Sequence, residues 1–186
     1  MRRMRGTPRE GWQRTVESQG LVFGTPARDG AGDSRNYWDE SVFYEFDMDE
    51  VLSIEAQVEV LHSMCLKAVE NVILTERYAD FGIPEWAWGA IEESWKRQDP
   101  HVYGRFDLRY DGRRPAKLLE YNADTPTSLL EAAVVQWYWF QDTAPDKRSW
   151  DEGGYDQWNS LHEALVARWG EIRNVIPPSE LHFTWS

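Results

Sequence analysis

The feature that most constrains the fold is a long stripe of apolar residues between about Met48 and Arg77. Its members recur at intervals of three and four: Val51, Ile54, Val58, Leu61, Cys65, Val69 and Val72. Because a helix turns once in about 3.6 residues, this spacing puts them on one face of an amphipathic helix. The stripe therefore predicts one long helix whose apolar face packs against other elements. The position of Cys65 within the stripe favours a buried and inert thiol.

Three further helices are predicted after a break at Gly82–Pro84. Pro84 suits the first turn of a helix, where an amide hydrogen would have no partner within the helix. The predicted helices cover about 84–98, 128–142 and 155–174, where apolar residues again share a face.

The two ends of the chain are less regular. Residues 1–35 are rich in Gly, Arg, Asp and Pro, which predicts a loop-rich segment with a short helix near Trp12 and a short extended piece at Leu21–Phe23. Residues 36–186 are predicted to form the main domain. Residues 181–185 have the pattern of a strand, which needs a sheet to join: either the central hairpin described below or strands lost by truncation.

The composition excludes several classes of protein. In the 186 residues no run approaches the roughly 18 apolar residues that a membrane span needs, and the basic start is followed by Gly6–Arg9 rather than by an apolar signal segment. With the single Cys65, this predicts a cytoplasmic protein without disulfides. A net charge of −12 argues against nucleic acid and favours a cationic partner such as a polyamine. The eleven tryptophans suit a core or, alternatively, a binding groove.

A β-hairpin is predicted at the centre of the chain. Two strand-like segments, 101–110 and 116–124, flank a turn that contains Gly and Pro. A four-residue loop at Gly112–Pro115 would set three opposed pairs: Tyr110 with Lys117, Asp107 with Glu120, and Arg105 with Asn122. These elements together predict an α+β fold, with helices packed around a central β-hairpin or small antiparallel sheet.

One face of this hairpin would be strongly polar. Because side chains alternate between faces, four polar side chains would lie together: Arg105, Asp107, Glu120 and Asn122. Two opposed carboxylates repel each other unless a positive charge lies between them. Mg²⁺ accepts such oxygen donors and fills its other positions with water or phosphate, and an arginine beside them can hold a phosphate. Alternatively, Arg105 and Arg109 form ordinary ion pairs with the two acids.

The opposite face of the hairpin is predicted to be apolar and to face the core: Phe106, Leu108, Leu119 and Tyr121. After the hairpin, the third helix can begin at Thr125 before Pro126, or at Ser128 with Glu131 as a capping box. A helix N-terminus with hydroxyl groups can also bind an anion.

These central residues resemble the signature of the glutathionylspermidine synthase family. The resemblance is carried by Gly104–Asp107 and Leu119–Glu131, and the stretch Glu-Tyr-Asn-Ala-Asp is its most specific part. It extends more loosely over most of residues 37–142, through Tyr37–Glu40, Phe81–Pro84 and Gln136–Phe140. It implies an ATP-grasp ligase that joins the glycine carboxylate of glutathione to a polyamine amine through an acyl phosphate, with ATP and Mg²⁺.

The resemblance also implies roles for single residues. The Mg²⁺ ligands would be Asp107, Glu120 and Asn122. Arg105 would steady the transferred phosphoryl group or the acyl phosphate. The glutathione-like substrate would be held near Asp124, Thr125 and Thr127.

Complete synthetases of this family are longer than this sequence. The resemblance implies that their nucleotide-binding lysines, remaining metal contacts and amine-binding acids come from a later half. The sequence therefore predicts a partial, truncated ATP-grasp-type ligase, which alone neither binds ATP tightly nor turns over.

Two other functions fit parts of the pattern. A noncatalytic binding or interaction domain would use exposed tryptophans, for example against sugar rings, and its mark would be several coplanar, solvent-facing indoles. A glycosidase would use Asp107 and Glu120 as its acid pair, but directly opposed carboxylates lie close together and no apolar pocket is evident to tune one of them.

Overall fold

The computed structural model describes residues 1–23, 37–124, 126–143 and 154–176, which divide between two units. In chain order the elements are β1 (Arg2–Arg5), α1 (Trp12–Ser18), β2 (Val42–Glu45), α2 (Met48–Leu74), a 3₁₀ turn (Arg77–Phe81), α3 (Glu85–Arg97), β3 (Arg105–Arg109), β4 (Lys117–Asn122), a π-helical segment (Glu131–Val135), α4 (Gln136–Thr143) and α5 (Leu161–Val175). Helices and two-stranded antiparallel sheets occur together, in agreement with the predicted α+β class.

The first unit comprises the described residues of Met1–Val51 and Pro126–Leu165. Its core is formed by Trp12 and Val16 of α1, Leu21, and Val135 of the π-helical segment. The short helix predicted near Trp12 is confirmed. The extended piece predicted at Leu21–Phe23 is wrong, because the chain turns there: the Leu21 amide donates to the Val16 carbonyl at 3.0 Å and brings the Leu21 side chain into the core.

Strand β1 lies within the segment predicted to be loop-rich. It pairs antiparallel with β2, and Arg2 lies opposite Glu45, with which it forms an ion pair at 3.3 Å. The amino terminus adds a second ion pair, to Glu50. The sequence Arg2–Arg5 lacks the apolar alternation of a half-buried strand, so only its partner across the sheet explains the strand.

A buried ion pair lies beside this sheet. Glu40 is fully buried, and its carboxylate accepts hydrogen bonds from the backbone amide, Nε and Nη2 of Arg9 at 3.1, 3.2 and 2.6 Å and from the indole of Trp38 at 3.2 Å. The other guanidinium nitrogen of Arg9 donates to Asp142 of α4 at 2.6 Å. Arg9 therefore links the segment before β2 to α4, and these contacts raise its pKa, chiefly through the hydrogen bond to Glu40.

The third predicted helix begins later and less regularly than expected. Ser128 has a left-handed backbone with φ of 77°, and the chain then passes through the π-helical segment into α4. Glu131, predicted to complete a capping box with Ser128, is buried and instead accepts a hydrogen bond from the Tyr37 hydroxyl at 2.5 Å. The fourth predicted helix also starts later, at Leu161, whose amide is capped by the Asn159 side chain at 3.1 Å.

The second unit comprises the described residues of Leu52–Thr125 and Val166–Ser186. Helix α2, most of which lies in this unit, confirms the long helix predicted from the apolar stripe, although within the stripe only Ile54 is buried, and Cys65, predicted to be buried, is half-buried. Helix α3 confirms the second, with Pro84 at its start. In the 3₁₀ turn before α3, Tyr78 is buried and stacks on Trp88 of α3 with ring centroids 5.1 Å apart.

Strands β3 and β4 form the predicted hairpin with one difference in register. Arg105 pairs with Asn122, Phe106 with Tyr121, and Asp107 with Glu120, as expected. Beyond Asp107 the register shifts, so that Leu108 pairs with Leu118 and Arg109, not Tyr110, pairs with Lys117. The extra residue is Leu119, which is 67% exposed and therefore does not join the apolar face as predicted.

The hairpin turn is organised by Asp111. Its carboxylate accepts hydrogen bonds from the backbone amides of Arg113 and Arg114, each at 2.9 Å. The hydrogen bond from Arg114, followed by that from Arg113, is the main reason why the pKa of Asp111 lies below its ordinary value of 3.8. The charges of Arg114 and Arg109 lower this pKa further. The ionised carboxylate of Asp111 thus stabilises this turn more than the protonated carboxyl would.

We expect this turn to lose its order on acidification, because the folded pKa of Asp111 lies below the unfolded one. The stabilisation is then fully present above pH 3.8 and is lost as the pH falls through the folded pKa. A carboxyl-carbon NMR titration should give Asp111 a pKa below 3.8, with the Arg113 and Arg114 amides shifting at the same pH. The variant Asp111→Asn should abolish that shift in both amides. A titration at or above the ordinary value would contradict the assignment.

Several predictions fall on residues outside the described ranges. The strand predicted at 181–185 is one, and Thr125 is another. The division into segments 1–35 and 36–186 stays a prediction. Within the described ranges, none of the helices combines the length and apolar character that a bilayer crossing requires.

Candidate functional site

The four polar residues predicted to share a face of the hairpin do lie together. The ladder sets Arg105 opposite Asn122 and Asp107 opposite Glu120. Arg105 binds Asp107 through two nitrogens, with Nε to Oδ1 at 2.8 Å and Nη2 to Oδ2 at 3.3 Å. We call this set of four residues the polar face.

Asn122 links the two strands of the polar face. In the amide orientation that satisfies both neighbours, its nitrogen donates to Glu120 Oε1 and its oxygen accepts from Arg105 Nη2, each at 3.1 Å. The contacts therefore run without a break from Asp107 through Arg105 and Asn122 to Glu120. These contacts thus join side chains from both strands.

The polar face is accessible but partly desolvated. The side chain of Arg105 is 29% exposed and that of Asp107 is 40% exposed, and Glu120 is exposed. The hydrogen bond to Asp107 is the main cause of a raised pKa for Arg105, so the guanidinium stays charged at any physiological pH. Of the ion pairs predicted as the alternative to a metal, the one between Arg105 and Asp107 is therefore present.

The donor chemistry of the polar face fits Mg²⁺. Asp107 and Glu120 contribute carboxylate oxygens and Asn122 an amide oxygen, which are the hard ligands that this ion takes. Among the described residues there is no cluster of three or more His, Cys, Asp or Glu side chains that could enclose a metal. Two acids and one amide suit an ion that keeps much of its coordination for water and phosphate rather than a closed protein cage.

Arg105 is placed to serve either of two partners. Its guanidinium contacts Asp107 and, through Nη2, the Asn122 oxygen. A cation bound by the same oxygens would compete with it for them, and a guanidinium released from a carboxylate binds a phosphate equally well. The arrangement can therefore hold a metal and an anionic group side by side.

The predicted substrate-binding residues are less defined. Asp124 follows β4 by two residues and is exposed. Thr127 is exposed and belongs to the first unit, whereas the polar face belongs to the second. Thr125 lies outside the described residues. Their role in binding stays a prediction.

Comparison with known proteins supports one family. Residues 3–186 match the family described as glutathionylspermidine synthase preATP-grasp. The chain belongs to this family. The predicted resemblance is thereby confirmed, and the match extends beyond the central residues on which it was first based to nearly the whole sequence.

Curated relatives agree with this membership. The chain is 39% identical over 162 residues to a putative acid–amine ligase of Haemophilus influenzae, covering 87% of this chain and 38% of that protein. It is 34% identical over 124 residues to trypanothione synthetase of Crithidia fasciculata, covering 66% and 19%. It is 30% identical over 115 residues to the bifunctional glutathionylspermidine synthetase/amidase of Escherichia coli, covering 61% and 17%. The chain thus spans well under half the length of these relatives.

Sequence reasoning missed one of the residues that lie on the reverse side of the hairpin, behind the polar face. On the reverse of the hairpin, Phe106 and Tyr121 stack with ring centroids 4.0 Å apart, and His62 of α2 contacts both rings edge-on. Alternation along the strands predicted the two hairpin aromatics on this face. The contact of His62 with these rings was not predicted, because nothing in the sequence around a histidine beside an apolar helical stripe indicates which residue it contacts.

Proposed function

We propose that this chain supplies the part of an ATP- and Mg²⁺-dependent carboxylate–amine ligase that binds the metal ion and the carboxylate substrate. The reaction would form an amide between a glutathione-like peptide carboxylate and an amine, with a polyamine as the favoured class. The observation that carries the proposal is the polar face, in which two acids, an amide and an arginine are joined by direct contacts. Membership of the glutathionylspermidine synthase family supports it.

The chemistry has two steps in this proposal. The peptide carboxylate first attacks the γ-phosphorus of ATP, which yields an acyl phosphate and ADP. The amine then attacks the acyl carbon, phosphate leaves, and the amine nitrogen loses a proton. Both steps concentrate negative charge on phosphoryl oxygens, so catalysis depends mainly on positioning and on charge neutralisation.

The residues of the chain would have separate roles in this reaction. Asp107, Glu120 and Asn122 would hold Mg²⁺, which supplies positive charge beside the phosphoryl group when it is bound. Arg105 would turn from Asp107 to bind and orient the phosphoryl or acyl phosphate oxygens. Asp124, Thr125 and Thr127 would hold the peptide substrate. The acidic character of the chain, −12 overall, favours a cationic amine.

The chain by itself would not complete the reaction in this proposal. The resemblance implies that nucleotide-binding lysines and amine-binding acids belong to a later half, and the matches cover only 38% or less of the relatives. The family match over residues 3–186 favours this ligase role over a noncatalytic Trp-rich binding domain.

A Mg²⁺ titration tests the metal part of the proposal. We expect Asp107→Asn and Glu120→Gln each to weaken Mg²⁺ binding at least about tenfold, because even residues that only support metal ligands cost about 10–100-fold when they are removed. Isothermal titration calorimetry, or electron paramagnetic resonance with Mn²⁺ as the probe, measures the affinity.

The matched control for this titration is Glu93→Gln. Glu93 lies on α3 and its side chain is 74% exposed, so the variant makes the same change of charge away from the polar face. It should bind the ion like the unmodified chain. Indistinguishable curves for all of these proteins would contradict the metal assignment.

A further inference from the structure

The reverse side of the hairpin carries a cross-strand aromatic pair, Phe106 and Tyr121. The two residues are direct partners in the ladder, and their rings are nearly parallel, with an interplanar angle of 8° and centroids 4.0 Å apart. Cross-strand aromatic pairs are among the contacts that stabilise a particular strand pairing.

The aromatic pair is adjacent in sequence to every residue of the polar face. Phe106 lies between Arg105 and Asp107, and Tyr121 lies between Glu120 and Asn122. Since neighbouring side chains point to opposite faces of a strand, fixing the two rings on one side fixes the four polar residues on the other. A slip of one residue in either strand would move these side chains to the wrong face.

The regular pairing around the aromatic pair is short. It comprises three residue pairs, from Arg105–Asn122 to Asp107–Glu120, after which the register shifts. The aromatic pair is the middle one of these three. The contacts on the polar face therefore depend on these three residue pairs. Because the register shifts beyond them, the pairs nearer the turn do not fix their register.

Two further residues hold the Tyr121 ring in place. A methyl group at Gly104 would lie 2.8 Å from both Cε2 and Oη of Tyr121, closer than carbon atoms approach, so the ring occupies the space that only glycine leaves open. From α2, Nδ1 of His62 lies 3.2 Å from the Tyr121 hydroxyl.

We infer that Tyr121, held by Gly104 and His62, is a positioning residue that sets the strand register in which Asp107, Glu120 and Asn122 can bind one divalent ion. The inference rests on the proposed metal-binding function. It assigns Tyr121 no contact with substrate or metal, since its ring lies on the opposite side of the hairpin. Its effect passes through the backbone of β4 to the residues on either side.

The test compares three changes in the 186-residue chain. Gly104→Ala fills the space of the ring and should weaken Mn²⁺ binding about tenfold, at the lower end of what supporting residues of metal sites contribute. Tyr121→Phe keeps the ring and its edge-on contact with His62 and removes only the hydroxyl contact, so it should weaken Mn²⁺ binding by no more than about threefold. In a Tyr121→Leu background, Gly104→Ala should add no further loss, because the ring atoms that the methyl group meets are absent.

Two readouts separate positioning from general stability. Paramagnetic resonance with Mn²⁺ gives the affinity, and NMR cross-strand contacts between the backbones of Asp107 and Glu120 give the register without any metal. We expect Gly104→Ala to weaken or shift these contacts together with the loss of affinity. Should that variant not fold, Tyr121→Leu serves the same test, because it opens space instead of filling it.

The outcomes distinguish this inference from the proposed function. If the unmodified chain binds Mn²⁺ and Gly104→Ala lowers the melting temperature but leaves affinity and register unchanged, the positioning role is wrong and the metal site stands. If the unmodified chain binds no Mn²⁺, the metal role of Tyr121 and the metal site are both overturned. A register change in Gly104→Ala would then still identify Tyr121 as the residue that orders the hairpin.

Discussion

Replacing Arg105 by alanine should lower the turnover of a chimeric ligase that contains this chain about 100-fold or more. Arg105 is the only cation of the polar face, and losing one donor aimed at a developing oxyanion typically costs about 10²–10³ in kcat. The measurement uses a chimera in which this chain replaces the segment that it matches in the E. coli glutathionylspermidine synthetase/amidase. ADP release with glutathione, spermidine, ATP and Mg²⁺ reports the turnover.

Two controls accompany this measurement. Arg113→Ala removes a cation from the exposed hairpin turn of the same chain and should leave turnover within about twofold, since isolated surface charges contribute little. The 186-residue chain alone should release no ADP above background. Equal turnover in the Arg105→Ala and unmodified chimeras would contradict the catalytic role, and amide formation by the isolated chain would contradict its proposed dependence on a further half.

The second large effect concerns stability, at the ion pair between Arg9 and Glu40. The variant Glu40→Gln should destabilise the fold by about 3 kcal/mol, because removing the buried partner leaves the Arg9 guanidinium with only the exposed carboxylate of Asp142 as a counter-charge. Glu40 is fully buried and Arg9 nearly so, with side-chain exposures of 0% and 11%. For a chain of this size the melting temperature should fall by roughly 6–12 °C, as measured by circular dichroism or calorimetry.

Asp142→Asn is the matched control for this variant. Asp142 binds the same guanidinium at 2.6 Å, but its side chain is 56% exposed, so its loss should cost less than about 1 kcal/mol. The two variants remove the same charge from two partners of one arginine and differ mainly in burial. Equal destabilisation by both would show that the burial of Glu40 does not govern its contribution.

The strand pairing of the hairpin was predicted correctly in part. Alternation along two strands correctly placed Asp107 opposite Glu120 and Arg105 opposite Asn122, because side chains in strands alternate with a strict period of two. The same counting failed towards the turn, where Arg109 and not Tyr110 lies opposite Lys117. A bulge adds one residue to one strand, and the sequence at Leu119 carries no glycine or other sign of it.

Elements that depend on distant partners were harder to predict. Strand β1 is specified by its pairing with β2, some forty residues away, and not by its own basic sequence. Likewise, Glu131 accepts a hydrogen bond from the distant Tyr37 hydroxyl, a contact that the local capping pattern did not predict. By contrast, α2 was predicted well because its apolar spacing is a local property of one segment.

The bulge at Leu119 has a consequence for how this hairpin can change. It separates the inner three residue pairs, which carry the polar face, from the outer pairs next to the turn, so each part keeps a register of its own. A residue gained or lost at the exposed tip alters only the outer part, because the inner part is fixed independently. Natural variation in tip length, or a short epitope inserted there by design, is therefore compatible with an unchanged arrangement of acids, amide and arginine.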